Sequence, residues 1–188
     1  MDSVSSNLIE TIGVVSDTHI HSQEGRLPAK LLSVFQDAEV GLILHAGDIC
    51  TLSVLSELEG IAPVRAVRGN RDLNLLSSLP LIDHIIVGKV KIGLVHSHIS
   101  FLSYLLDKVL HYRDGYCFER YAGMLHRIFP EADVIVFGHT HIAESRHWQG
   151  KLYFNPGSCS CKSKWSLCSC GILRVFGDGI VKAEILVL

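Results

Sequence analysis

Short apolar runs alternate along this chain with stretches in which apolar residues recur every three or four positions. Thr11–Ser16 and Val40–His45 are compact runs rich in β-branched residues, and each predicts a buried strand. Ala62–Arg68 predicts a third strand, with Pro63 near its start. Between them, Leu31, Leu32, Val34 and Phe35 mark a helix over 28–37, with Pro28 suited to its first turn. Leu52, Leu55 and Leu58 fall on one face of a second helix that Thr51 can cap and that runs through Glu59.

The pattern changes after residue 80. Asp83–Val87 and Val90–Val95 are strand-like and meet at Gly88-Lys89, which reads as a hairpin. Ser100–Leu110 and Phe118–Phe129 have helical spacing and are separated by a loop at 112–115, with Pro130 after the second. Asp133–Phe137 is another strand. Turn signals at Gln149-Gly150 and Asp178-Gly179 predict further hairpins, and Ile180–Leu188 alternates as a final strand. Strand-helix-strand units followed by hairpins predict an α/β domain with a second, more antiparallel sheet. The 188 residues suffice for one domain, 1–188, with 1–10 as a flexible N-terminus.

Composition narrows the function classes. Apolar residues make up 48% and charged residues 19%, a balance that folds. A formal net charge of -2 leaves no basic excess to displace counterions from a long nucleic acid. The uncharged apolar stretches are too short to cross a bilayer. Met1–Glu10 is polar and lacks the basic start and apolar run of a secretory signal, so the expected compartment is the cytoplasm. Eleven histidines is a high count, and seven of them stand beside strand ends.

The residues after the strands carry the chemistry. Asp17-Thr-His19 follows the first, Gly47-Asp48 the second and Gly69-Asn-Arg-Asp72 the third. His96-Ser-His98 follows the middle hairpin, and Gly138-His-Thr-His141 follows Asp133–Phe137. Open α/β sheets place their sites at the carboxyl ends of strands. Carboxylate oxygen and imidazole nitrogen suit borderline divalent ions. A carboxylate can bridge two such ions, and a paired site about 3.5–4 Å across can share a hydroxide and polarise a phosphoryl group. The single spacer in D-x-H and H-x-H predicts an extended loop with both side chains on one side. Taken singly, each fragment has an ordinary reading: G-D as a turn, G-N-x-D as an Asx-turn. The ordered set of five does not.

In that order, D-x-H, G-D, G-N-x-D, H-x-H and G-H-x-H, the chain resembles the calcineurin-like metallophosphoesterase family. Its length, its G-N-x-D and its Asn155-Pro-Gly-Ser158 segment are similar to the small microbial (YfcE-like) phosphodiesterase branch, itself related to the metallophosphoesterase-fold subunit of retromer. The likeness spans roughly residues 11–188. The resemblance implies an α/β (α+β) fold, a four-layer αββα sandwich of two mixed sheets flanked by helices. It implies one metal ion on Asp17, His19, Asp48 and His141 and another on Asp48, Asn70, His96 and His139, with Asp48 as the bridge. Manganese is the expected activator, with nickel, zinc, iron and cobalt as alternatives. The expected substrate is a small phosphomonoester or phosphodiester, hydrolysed by in-line attack of a hydroxide held between the two ions. The expected partners are that substrate, no membrane and no long nucleic acid, with a homo-oligomer left open. A protein-binding scaffold of the retromer-subunit type and a nucleotide or cyclic-nucleotide phosphodiesterase are the competing readings.

One position departs from the broad family pattern. Many relatives carry histidine where this chain has Arg71, placed to serve the leaving group. A guanidinium keeps its proton in proteins and cannot be that acid. It can clamp phosphate oxygens, or simply pair with a carboxylate at the surface. His98 is the expected substitute acid or phosphate binder, and Asp72 is expected to orient a ligand. His45, just before Gly47-Asp48, reads as an ordinary structural histidine, with an outer support of the neighbouring ligand as the alternative. Cys159, Cys161, Cys168 and Cys170 form two C-x-C pairs that either share a metal or serve as small apolar strand residues. The aromatic-rich segment 99–129 reads as helices covering the sheet, with a lid, substrate wall or dimer contact as alternatives.

Overall fold

The computed structural model describes residues 7–22, 24–72, 78–97, 109–110, 112–113, 115–160 and 167–188. Two five-stranded sheets carry the fold. The first contains β1 (Leu8–Val15), β2 (Leu42–His45), β3 (Val64–Ala66), β9 (Ser169–Phe176) and β10 (Val181–Val187), in the order β10-β9-β1-β2-β3. The second contains β4 (Ile82–Val87), β5 (Val90–Val95), β6 (Val134–Phe137), β7 (Glu144–Trp148) and β8 (Lys151–Asn155), in the order β4-β5-β6-β8-β7. Both are mixed. β1, β2 and β3 run parallel, with β9 and β10 added antiparallel. β5, β6 and β8 run parallel, flanked by antiparallel β4 and β7.

Three apolar layers explain why the central strands are continuously apolar. Ile12, Val14, Leu44, Ile92, Leu94, Val134, Val136, Phe154, Leu173 and Val175 fill the space between the sheets. The intervening residues face outward onto helices. Val15 and Ile43 meet α1 (Ala29–Asp37) and α2 (Leu52–Glu59) through Leu31, Phe35, Val54 and Leu58. Val95, Ile135, Phe137 and Tyr153 meet α3 (Phe118–Ile128) through Phe118, Ala122 and Leu125. The layers are therefore helix, sheet, sheet, helix, and a strand with both faces covered shows no polar alternation. No helix among the described residues is long and apolar enough to cross a membrane.

The structure corrects several sequence expectations. β1 opens at Leu8, so Leu8–Glu10 belong to a strand rather than to a flexible N-terminus; Leu8 pairs with Phe176 and Glu10 with Val175. Leu8 and Ile9 are exposed, so burial gave no signal there. In α2 the buried side chains are Val54 and Leu58, while Leu52 is 48% exposed. Thr51 holds the cap position, but its hydroxyl meets Ser53 Oγ at 3.0 Å and makes no cap bond to the helix backbone. Most of Ser100–Leu110 lies outside the described residues.

Candidate metal centre

β1, β2, β3, β5 and β6 each deliver one loop to a common edge. Asp17 and His19 follow β1, Asp48 follows β2, Asn70 follows β3, His96 follows β5, and His139 and His141 follow β6. Parallel pairing within each sheet puts these carboxyl ends side by side. Two glycines permit the crowding. A Cβ on Gly69 would lie 2.2 Å from both the amide nitrogen and Oδ1 of Asp48. A Cβ on Gly138 would lie 2.0 Å from Ser16 Oγ and 2.7 Å from the Ala46 carbonyl.

The ligand loops are not extended. Asp17, His19, Asp48, His139 and His141 have φ of 53°, 49°, 55°, 75° and 59°. Each sits in the left-handed region, which costs a non-glycine residue roughly 1–2 kcal/mol. The side chains in D-x-H and H-x-H converge because alternate residues curl, not because the backbone is straight. Surrounding bonds hold the curl. Asp17 N–H donates to Gly47 O at 2.9 Å and His19 N–H to Asp48 O at 3.1 Å. Ser158 Oγ donates to Asp17 O at 2.8 Å. Asn155 Nδ2 donates to Gly138 O at 3.2 Å and to Thr140 Oγ1 at 3.0 Å.

All seven expected ligand side chains come together, in two groups. In the first, Asp17 Oδ1 lies 3.2 Å from His141 Nε2 and 3.7 Å from His19 Nε2. The two imidazole nitrogens are 3.0 Å apart. In the second, Asn70 Oδ1 lies 3.2 Å from His96 Nε2 and 3.1 Å from His139 Nδ1. Asp48 faces both: Oδ1 is 3.4 Å from His96 Nε2, and Oδ2 is 3.8 Å from His19 Nε2.

The donor set fits divalent cations on grounds internal to the structure. Asp17 Oδ1 is buried and faces His141 Nε2 at 3.2 Å without a well-aligned hydrogen bond, an expensive state for a carboxylate oxygen unless a cation meets it. The other oxygen is satisfied, accepting from Ser16 Oγ at 2.6 Å and His139 N–H at 2.9 Å. His96 Nδ1 sits 2.7 Å from Ala46 O, so it carries the proton and Nε2 offers a lone pair to the centre. Ligands about 2.1 Å from a shared cation stand roughly 3.0–3.4 Å apart, close to the spacings within each group.

Electrostatics point the same way. Burial alone would raise the Asp17 carboxyl, but the neighbouring His141 and His96 and the Ser16 hydroxyl outweigh it and hold it well below the usual carboxylate range. Contact with Asp17 raises His141 against its own burial, whereas burial lowers His19 despite Asp48 and Asp17.

Arg71 and Asp72 take different parts. The Arg71 N–H donates to Asp48 Oδ1 at 2.8 Å, and its guanidinium Nε, on a side chain that is mostly exposed, stands 3.7 Å from Oδ2. Asp72 is buried and spends both oxygens on backbone, accepting from Cys50 N–H and Gly69 N–H at 2.8 Å each. It ties the loop after β2 to the loop after β3. His98 lies outside the described residues, as does Cys161. Cys159 and Cys170 are buried in the helix-facing core, and burial pushes the Cys170 thiol up to about 12. Among the described residues these cysteines do not form a metal-ligating group.

The supports that sequence reading missed are Ser16, Thr18 and Ser158, none of which has a distinctive spacing. Thr18 Oγ1 donates to Ile49 O at 3.1 Å, locking the first ligand loop to the second. His45 is fully buried behind them. Its Nδ1 accepts from Gly47 N–H at 3.2 Å, and its Nε2 is 3.4 Å from Thr18 Oγ1. Burial pushes its imidazole down to about 4, against the pull of Asp72 and Asp17. The native state therefore refuses a proton that the unfolded chain accepts below about 6.5. Stability should be unaffected by His45 above that pH and should fall by about 3 kcal/mol between pH 6.5 and 4. Denaturant unfolding at graded pH should lose that portion of its slope in His45→Gln.

A profile for the calcineurin-like phosphoesterase superfamily domain matches residues 11–175, and the chain belongs to that superfamily. A probable metallophosphoesterase of Methanothermobacter thermautotrophicus is 34% identical over 148 residues, 78% of this chain and 76% of its own length. A phosphodiesterase of Methanocaldococcus jannaschii is 27% identical over 161 residues, 79% of this chain and 83% of its own. Among solved structures, vacuolar protein sorting 29 of Cryptosporidium parvum has the same fold, with a TM-score of 0.72 at 19% identity over 97% of this chain and all of that one. A novel archaeal phosphodiesterase follows with a TM-score of 0.60 at 23% identity, covering 94% of this chain and 99% of its own.

Proposed function

We propose that the protein hydrolyses small phosphomono- or phosphodiesters with two divalent cations. Asp17, His19, Asp48 and His141 would hold one; Asp48, Asn70, His96 and His139 would hold the other. The observation that carries this reading is Asp48, whose two oxygens face separate donor groups. When bound, the cations would supply the Lewis acidity that polarises a phosphoryl oxygen and makes water nucleophilic near neutral pH.

The chain's own residues prepare that chemistry. Ser16 and the His139 amide fix one oxygen of Asp17 so that the other stays free for the centre. Ala46 O fixes the His96 tautomer. Asp72 holds the second and third ligand loops in register. Arg71 presents a guanidinium beside Asp48 at the solvent edge, where it can clamp phosphate oxygens but not donate a proton to the leaving group.

Metal-stripped protein should be inactive on aryl phosphomono- and phosphodiesters and should recover on addition of manganese, with two ions bound per chain. Full occupancy without turnover on either ester would defeat the proposal and favour a partner-binding scaffold. A structural neighbour, vacuolar protein sorting 29 of Chaetomium thermophilum, has been solved with a cyclic peptide bound.

A further inference from the structure

Beside the paired donor groups stands a third cluster of different character. His19, His21 and Cys50 each offer one ligating atom, and those atoms lie within 4.8 Å of one another. His21 is exposed and Cys50 is half-buried, so the cluster opens to solvent while His19 backs it from within.

Loop bonds fix the backbone of two of the three, His19 and Cys50. His19 N–H is tied to Asp48 O at 3.1 Å, Thr18 Oγ1 to Ile49 O at 3.1 Å, and Cys50 N–H to Asp72 Oδ1 at 2.8 Å. His19 and Cys50 both adopt left-handed backbone, with φ of 49° and 74°. The rings of His19 and His21 lie 6.3 Å apart between centroids at an interplanar angle of 30°. Ligand atoms of one tetrahedral zinc ion stand about 3.3–3.7 Å apart, so side-chain rotation must draw these three together from separations of up to 4.8 Å.

The geometry points to a zinc site on His19, His21 and Cys50 that competes with the phosphoesterase centre for His19. One thiolate and two imidazoles form a donor set suited to zinc, whereas the neighbouring groups are built from carboxylate, amide and imidazole and suit manganese or iron as well. On binding, the thiol proton leaves to solvent and the sulfur becomes a thiolate ligand. A neutral imidazole has a single lone-pair nitrogen, so His19 can serve one cation at a time. Zinc in the thiol cluster therefore withdraws His19 from Asp17 and His141. The binding of zinc stands by itself; its effect on turnover rests on the proposed phosphoesterase activity.

Cobalt added to the full chain, as a spectroscopic stand-in for zinc, should give a thiolate-to-cobalt charge-transfer absorption. That band should vanish in Cys50→Ser and weaken strongly in His21→Gln. In the manganese-loaded protein, the zinc concentration that halves hydrolysis should rise in both variants by more than the roughly 10–100-fold that outer-shell substitutions cost. Manganese-dependent turnover without zinc should match that of the unsubstituted protein. Absence of the band, its survival in Cys50→Ser, or equal zinc sensitivity in all three proteins would overturn the site. Should the protein prove inactive on every phosphoester, the absorption measurement still decides whether zinc binds there.

Discussion

Asp48→Ala is expected to lower metal-dependent hydrolysis by at least about a thousandfold, the equivalent of roughly 4 kcal/mol of transition-state stabilisation. Asp48 turns one oxygen towards each donor group. Its Oδ1 lies 3.4 Å from His96 Nε2 and its Oδ2 3.8 Å from His19 Nε2. Alanine would remove a ligand from each cation at once. The change also strands the Arg71 N–H, which donates to Oδ1 at 2.8 Å, at a cost to stability of about 1–3 kcal/mol. Asp48→Asn separates the two effects, because the amide oxygen can still accept that bond while the bridging charge is lost. Steady-state kcat/KM, metal content and denaturant unfolding should be measured on both variants. Activity within tenfold of the parent in either folded variant would contradict the role given to Asp48.

Gly69→Ala should damage the centre nearly as much without removing any ligand. The new methyl would sit 2.2 Å from Asp48 N and Oδ1 and 2.9 Å from its Cα. Most of that obstruction is backbone and cannot rotate away. Gly69 is itself pinned, its N–H bonded to Asp72 Oδ2 at 2.8 Å. The loops after β2 and β3 must part, at a cost of about 1–3 kcal/mol. Manganese affinity should drop by more than about tenfold as Asp48 and Asn70 lose register. Gly123→Ala in α3 supplies the contrast. A Cβ there meets nothing within 4 Å, so relief of helical glycine should raise stability by about 0.5–1 kcal/mol. Urea unfolding with metal titration checks both; a Gly69→Ala protein with unchanged affinity would show that the loops are looser than their bonds suggest.

The seven side chains that come together were legible because each is a distinctive residue at a short, fixed spacing behind an apolar run. Their supports were not. Ser158 acts on the Asp17 carbonyl, 141 positions away in sequence, and no property of a serine announces a distant backbone oxygen. Asp72 could be read as a positioning residue, but not as a strap between two loops. The curled backbone of Asp17, His19, Asp48, His139 and His141 was hidden as well, since left-handed geometry is ordinarily signalled by glycine or asparagine. For the fold, strands covered on both faces stood out as unbroken apolar runs. β9 was implied by the turn at Asp178-Gly179 and by the reading of Cys168 and Cys170 as strand residues, because its opening Ser169-Cys170-Gly171 blurs the apolar run. β7 was implied only by Gln149-Gly150, because its middle residues face solvent.

Asp17, His19, Asp48 and Asn70 follow strands of one sheet, whereas His96, His139 and His141 follow strands of the other. With the proposed ligands, occupancy and the docking of the sheets become linked equilibria. An ion that binds the folded chain alone adds about 2.7 kcal/mol when its free concentration is a hundred times its dissociation constant. That increment is a sizeable share of the 5–15 kcal/mol typical of a domain. Depletion of the ion would then do more than idle the proposed hydrolytic centre. It would enlarge the unfolded fraction exposed to proteolysis, so that ion supply sets the protein's abundance as well as its rate.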